Sequence, residues 1–382
     1  MVLPKIKEVM NVLNFTKKSF TKGGFRHITS YISGLIALNK KTARKIAQAT
    51  RKKNHSAINR IMEDAKFEKE QLEERYLQKI RYLFKNSKVY LIIDDTLNKR
   101  EGKCVEEAQE HYDHTTSSFV RGHQFFTSLL YTPFLQLPLF PKLYSKNTDS
   151  KIEIAHKLLE GLEISAIKLD TVLFDSWYAE KELIEKCTKM GARVVCSIKT
   201  NRRIRFKGSN YWHSLSFVSK RILSQKLTTC SINSKEYLVF NSIIKLNHLP
   251  FVRMVISCDH SEEKKDYDRI HLISTSLSDT PEEILNAYKN RWNIETFHRD
   301  IKQNLGFAKA FFWKKEGIVR HSILVSIAYA VLKLIMYRKG ISMTIGEMCE
   351  HLRDKSTKNL VREIVEIESK PKRMSKFEEA FI

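Results

Sequence analysis

The sequence predicts an α/β protein: a mixed β-sheet flanked by helices, preceded by a basic helical domain and interrupted late by a β-rich insertion. Three observations carry this reading. Two short runs rich in β-branched residues, one over 88–96 and one over 168–175, end in the carboxylates of Asp94, Asp95 and Asp175, with helical periodicity between and after them. A segment over 288–302 has its apolar residues Ile294, Phe297 and Ile301 at helical spacing, continued by Leu305. The chain of 382 residues, 42% hydrophobic, is long enough to bury one large core plus a smaller domain.

Residues 1–85 read as helical and strongly basic, with 14 Lys and 6 Arg against 7 acids. Asn39 is placed to cap an amphipathic helix running to Thr50, and a second short helix covers Asn54 to Met62. Two short helices joined by a basic turn resemble a helix-turn-helix, with Asn54, His55, Ser56, Asn59 and Arg60 as candidate DNA contacts. Glu68 to Lys85 reads as a charged helix leading into the next domain.

Residues 86–200 read as three strands, a helix, a strand, a helix and a strand. The first strand delivers Asp94 and Asp95; the second and third cover Phe119 to Tyr131 and Phe134 to Tyr144, parted near Pro133. Helix Asp149 to Gly161, strand Lys168 to Asp175, helix Ala179 to Met190 and strand Arg193 to Lys199 follow, with Gly191 suited to a helix C-cap. This order resembles the RNase H-like fold, which places catalytic acids on its first and fourth strands.

Residues 201–276 form the β-rich insertion, with strands at Lys226 to Ile232, Tyr237 to Lys245, Phe251 to Asp259 and His271 to Ser276. Residues 277–310 return to the catalytic core: Thr280 caps a helix, Pro281 opens it, and Glu283 sits at the capping-box position. Residues 311–382 complete the chain as a helical region. Within it Ile318 to Tyr337 is apolar, but Arg320, His321 and Lys333 interrupt it, so it reads as a buried core helix rather than a membrane span.

The segment 288–302 carries the most chemistry. At about 100° per residue, Tyr288, Arg291, Glu295 and Lys302 fall within an arc of roughly 60° on one helix face. A carboxylate flanked by a guanidinium and an ammonium can hold a divalent metal while the cations hold phosphate. The spacing Y-x2-R-x3-E-x6-K resembles the signature of bacterial insertion-sequence DDE transposases of the IS-four type, and Trp292, Ile294, Phe297 and His298 also resemble residues those enzymes carry there. Gly122-His123-Gln124 resembles a segment that follows the first strand in such enzymes.

The resemblance implies a DNA transposase that binds the terminal inverted repeats of its element and target DNA, as a homodimer in the DNA complex. It implies two Mg²⁺ ions, with Mn²⁺ able to substitute, held by Asp94, Asp175 and Glu295. The family pattern of Asp, any residue, then Thr or Ser favours Asp94 as the first acid, with Asp95 the alternative; strand alternation lets only one of them face the site. Tyr288, Arg291, Lys302, Trp177, His298, Asn59 and Arg60 are the candidate DNA-binding residues. Two rival readings are a catalytically inactive, domesticated DNA-binding protein and an RNase H-like nuclease without strand transfer.

The remaining features narrow the class. A net charge of +24 and a pI near 9.6 point to a polyanionic partner, and the absence of a lipidation signal favours nucleic acid over a membrane surface. The six cysteines are scattered without metal or disulfide spacing, consistent with reduced thiols and a cytoplasmic, nucleoid-associated protein. His111, His114 and His123 fit no common zinc pattern. No Gly-rich phosphate loop suggests ATP-driven chemistry.

Overall fold

A computed structural model describes residues 7–49, 56–65, 67–102, 104–113, 116–222, 227–232, 234–247, 249–259, 269–309 and 312–368. Five helices open the chain: α1 (Lys7–Leu13), α2 (Lys22–Ala37), α3 (Ala43–Ala49), α4 (Ser56–Glu63) and α5 (Lys69–Phe84). The cap expected at Asn39 sits three residues later, where Thr42 Oγ1 accepts from Lys45 N at 3.2 Å. The shift has a cause. Lys41 is buried and donates to the Leu35 and Leu38 carbonyls at the end of α2, so α3 cannot begin until that side chain has turned inward.

The sheet begins with β1 (Tyr90–Lys99), β2 (Gln109–Asp113), β3 (Ser118–Tyr131), β4 (Gln136–Pro138) and β5 (Lys142–Tyr144). The single strand expected over 134–144 is two short pieces, because Pro138 and Pro141 lack the N–H groups a continuous ladder needs. Polar β2, without an apolar alternation to betray it, is an addition. Next come α6 (Lys151–Ile164), β6 (Thr171–Phe174), α7 (Lys181–Lys189) and β7 (Arg193–Ser197). Ser150 and Glu153 form a reciprocal capping box at the start of α6.

Residues 201–276 contain β8 (Arg203–Phe206), β9 (His213–Ser214), α8 (Leu215–Arg221), β10 (Thr228–Ile232), β11 (Lys235–Leu246), β12 (Phe251–Asp259) and β13 (Ile270–Ser274). These strands do not stand apart. β13 pairs antiparallel with β7, so the sheet runs on in the order β2-β3-β1-β6-β7-β13-β12-β11-β8-β9, with β10 on β11 and both β4 and β5 on β3. β1, β6 and β7 are mutually parallel, while β3 lies antiparallel to β1.

The chain ends with α9 (Pro281–Lys289), α10 (Trp292–Asn304), α11 (Lys315–Lys339) and α12 (Ile345–Glu368). One helix, α11, is long and apolar enough to cross a membrane by length and composition, yet 83% of its apolar window is buried inside the protein. It packs against α1, α2, α4 and β4, so the N-terminal helices and the sheet share one apolar cluster. Arg320 and His321 are accommodated by partners: Arg320 donates to the Ile61 carbonyl, and His321 bridges Tyr31 Oη (2.8 Å) and Gly306 O (3.0 Å). Cys187, Cys196, Cys230 and Cys349 are buried free thiols, and buried Cys258 donates to the Leu238 carbonyl.

Gly122 is required by the pairing of β1 with β3. A Cβ there would lie 2.3 Å from the Asn98 carbonyl oxygen, a backbone atom that cannot move without breaking the ladder. Gly122→Ala should therefore destabilise the protein by about 3 kcal/mol, as strained core substitutions do. Thermal denaturation of the variant measures this, and a melting temperature equal to wild type would refute the close approach.

Candidate active site

β1 buries Leu91, Ile92 and Ile93 completely and then presents Asp94. Its parallel register with β6 pairs Tyr90 with Thr171, Leu91 with Val172 and Ile92 with Leu173. Carried two residues past the end of that pairing, the same register brings Asp94 level with Asp175, which is near enough to contribute to the raised pKa of Asp94. Asp175 follows the last residue of β6 and its Oδ1 accepts from Trp177 N at 2.9 Å, which fixes the turn leaving the sheet.

The third acid comes from α10. Thr280 and Glu283 form the expected capping box on α9. The helix expected to run unbroken through 288–302 is instead tightened at 290–291: Arg291 N reaches Tyr288 O at 2.9 Å and Ile294 N reaches Arg291 O at 3.1 Å, both bonds of the tighter three-residue type. Beyond the junction the apolar stripe is as expected, with Ile294, Phe297, Ile301 and Leu305 fully buried. Glu295 thus lies over the sheet face that carries Asp94.

Arg291 joins the two acids. Its Nη1 donates to Asp94 Oδ2 at 3.2 Å and its Nη2 to Glu295 Oε1 at 2.8 Å, while the guanidinium carbon lies 5.7 Å from the centre of the Tyr288 ring. Burial works against the charge on Arg291, yet Tyr288, Asp94 and Glu295 together raise its pKa. Burial, together with the neighbouring Asp95, pushes the Asp94 carboxyl up to about 7, against the opposing pull of Arg291. Tyr288 is also raised by burial, and its hydroxyl is bonded to Ser197. Among the described residues, no three His, Cys, Asp or Glu side chains stand close enough together to hold a metal ion.

Two signature residues point inward. Lys302 Nζ donates to the Leu97 carbonyl on β1 at 3.0 Å, and burial lowers its pKa while Asp113 opposes that shift. His298 lies 2.7 Å from Thr127 Oγ1, whose hydroxyl donates to the Asp94 carbonyl at 3.0 Å. With that hydrogen committed, Nε2 of His298 must be the donor. Burial takes the His298 pKa down to about 3, so the ring is neutral and braces the backbone of Asp94. The Nε2 of His298 is thus spent inside the protein.

Asp95 occupies the opposite face of β1, as alternation requires. Lys151 Nζ pairs with Asp95 Oδ2 at 3.0 Å, Gln124 donates to the same oxygen, and Tyr178 Oη donates to Oδ1 at 3.2 Å. The Lys151 ammonium is 4.8 Å from the Trp177 ring and 5.5 Å from the Tyr144 ring. Trp177 is 41% exposed and presents its remaining surface beside Asp175. Asp95 in turn donates its backbone N–H to Asp94 Oδ1 at 2.8 Å. Sequence reading missed Lys151 and Tyr178, and marked Gln124 only as part of the Gly122-His123-Gln124 segment. The available signal was Asp95 itself, since a carboxylate turned to the second face of a buried strand demands partners there.

The histidines divide similarly. His111 packs against Tyr144 with ring centres 6.1 Å apart and 54° between the planes, whereas His123 accepts from Arg100 Nε at 3.3 Å and donates to the Glu106 carbonyl at 2.9 Å. His114 lies outside the described residues, as do Asn54 and His55. Asn59 and Arg60 sit on α4, which packs against α2, α3 and α11, with Arg60 exposed.

Two family models match the chain. The one described as DDE superfamily endonuclease matches residues 17–214, which include Asp94 and Asp175. The one described as archaeal transposase ISC1217 matches residues 144–344, which include Asp175, Glu295 and the whole of the Tyr288 to Lys302 signature. Each covers just over half of the 382 residues, and they overlap around Asp175. No curated protein matches the sequence. With its three acids carried on a parallel strand pair and a following helix, the chain belongs to the DDE superfamily of transposases and endonucleases.

Proposed function

We propose that this protein is a DNA transposase of the IS-four type, with an RNase H-like catalytic core, that binds its element's terminal inverted repeats and catalyses strand cleavage and strand transfer. The observation that carries the reading is the parallel β1–β6 register, which leads to Asp94 and Asp175, with Glu295 tied to Asp94 through Arg291. The bacterial source that the resemblance suggests has no support from the matching models, one of which is described as archaeal.

The donor set fits a hard divalent cation. All three acids offer oxygen ligands, and a bound cation would favour the ionised form of Asp94, whose pKa burial and Asp95 lift to about 7. Asp94, Asp175 and Glu295 would hold two Mg²⁺ ions, with Mn²⁺ as a substitute. When bound, the metal supplies a water of lowered pKa and neutralises charge on the scissile phosphate. Arg291 acts as the counter-charge of the carboxylates in its present position, and its planar fork suits a phosphate equally well. Tyr288 supports the guanidinium from below, and neutral His298 keeps the Asp94 backbone in place through Thr127.

Water attacks the phosphodiester in line and leaves a free 3′-hydroxyl. That hydroxyl attacks a second phosphodiester, forming one P–O bond as another breaks, with no covalent enzyme intermediate. Sequence recognition falls to Asn59 and Arg60 on α4, with a homodimer holding the paired ends. Cytoplasmic, nucleoid-associated action follows from the substrate.

Incubation of the full chain with Mg²⁺ or Mn²⁺ and DNA from the flanks of its own gene tests the proposal. The expected products are nicks bearing 3′-hydroxyls at the element ends, then joined strand-transfer products. Nicks that never proceed to joined products would replace the transposase by a nuclease, and binding without cleavage would point to the domesticated protein.

A further inference from the structure

We propose that the lobe formed by β8, β9 and α8 is a platform for an unpaired DNA strand beside the active site, an inference that rests on the transposase reading. Residues 186–235 contain 12 Lys and Arg and no Asp or Glu. Lys186, Arg193 and Arg202 pair with Glu163, Asp279 and Glu180, but these three lie outside the lobe, whose residues 203–221 hold five Lys and Arg and no acid. So dense a charge repels itself, and the natural counter-charge is a phosphate backbone. On β8, Arg203 and Arg205 alternate with buried Ile204, and the cross-strand neighbour of Arg205 on β11 is another cation, Lys245.

Aromatic faces are set among these cations. Tyr211 is 76% exposed. The Arg205 guanidinium lies 5.5 Å from the Trp212 ring. Phe217 carries His213 stacked at 6.4 Å with 10° between the planes, and Arg221 lies 4.2 Å from the Phe217 centroid. Duplex DNA hides its base faces, whereas an unpaired strand offers them for stacking while its phosphates meet the arginines. The lobe is also fastened to the catalytic loop. Arg202 Nη2 donates to the Ala179 carbonyl at 2.9 Å, four residues after Asp175, and a cavity of about 170 Å³ lined by Arg202 and Arg203 opens between β8 and that loop. The lobe is thus anchored to the segment that leaves Asp175, on the side from which a strand unpaired at the cleavage site would reach it under this proposal.

The test is fluorescence anisotropy of the full-length protein in EDTA, with labelled oligothymidylate and with a duplex, over a range of salt. The variants are the double substitution Arg203→Gln with Lys207→Gln and the single substitution Tyr211→Ala, all at exposed side chains. The double variant should flatten the salt dependence for the single strand by about 1.4 in log–log slope, two phosphates at about 0.7 each. Tyr211→Ala should weaken single-strand binding about tenfold with the duplex little changed. Melting temperatures equal to wild type confirm folding. Wild-type protein that bound neither DNA would sink the transposase reading and the lobe together. Wild-type binding that both variants retain would overturn the lobe alone, and equal losses on both DNAs would overturn the preference for an unpaired strand.

Discussion

Asp94→Asn should abolish strand cleavage and yet raise the melting temperature of the metal-free protein by several degrees. Burial is the first cause of the raised Asp94 pKa, and the neighbouring Asp95 carboxylate the second; together they lift it from 3.8 to about 7. A carboxyl raised on folding favours the native state fully below its unfolded value, and the advantage is lost as pH rises through about 7. At about 1.4 kcal/mol per pKa unit the ceiling is about 4 kcal/mol; with the side chain 18% exposed to water, roughly 2 kcal/mol is the reasonable expectation. Asparagine carries no charge and escapes that penalty. Calorimetry in EDTA should show the variant ahead of wild type at pH 8, with the gap narrowing toward pH 4. Added Mg²⁺ should stabilise wild type and leave the variant unmoved. Asp95→Asn should behave in the opposite way. It strips Lys151, buried between Trp177 and Tyr144, of its counter-charge, at a cost of about 3 kcal/mol, while cleavage falls without disappearing. Retained cleavage in Asp94→Asn would exchange the roles of the two residues.

The two acid-ending strands and the charged helix that follows were legible in the sequence because their signals are local. A buried strand that ends in an acid, and a helix that repeats its charged face, announce themselves through period and composition. Strand alternation also posed the choice between Asp94 and Asp95 correctly, but it could not say which of them comes level with Asp175. That needed the register of β1 against β6, a pairing of residues some eighty positions apart. The same limit hid Lys151 and Tyr178, and hid that Gln124 bonds Asp95; the three reach Asp95 from α6, from the segment after β6 and from β3. It hid the sheet as well: the strands of 201–276 read correctly as strands, but only the β7–β13 pairing shows that they extend the catalytic sheet. β2 escaped notice for another reason. It is polar, and its place at the edge of β3 is set by pairing rather than by burial. The tightened junction at 290–291 was invisible because no Pro or Gly marks it.

Arg291→Lys should slow cleavage by about a hundredfold although it keeps the charge. The Arg291 fork spans Asp94 and Glu295 with separate nitrogens, at 3.2 and 2.8 Å, and a lysine ammonium cannot satisfy two acceptors held apart in this way. In the proposed reaction the same fork turns to the phosphate, where a point charge again loses the bidentate contact. Folding should suffer little, because the substituted ammonium could still pair with either acid. Lys302→Met reports on a different role. Lys302 is bonded to the Leu97 carbonyl, and its removal leaves that buried oxygen without a partner, at a cost of about 1–2 kcal/mol. Its melting temperature should therefore drop, together with a slower cleavage step as β1 loosens beneath Asp94. Single-turnover cleavage and calorimetry on the two variants separate these effects: activity lost at constant stability for Arg291→Lys, both reduced for Lys302→Met. A wild-type cleavage rate in Arg291→Lys would mean that this helix merely covers the sheet, and that Arg291 serves only to neutralise two carboxylates the reaction does not use.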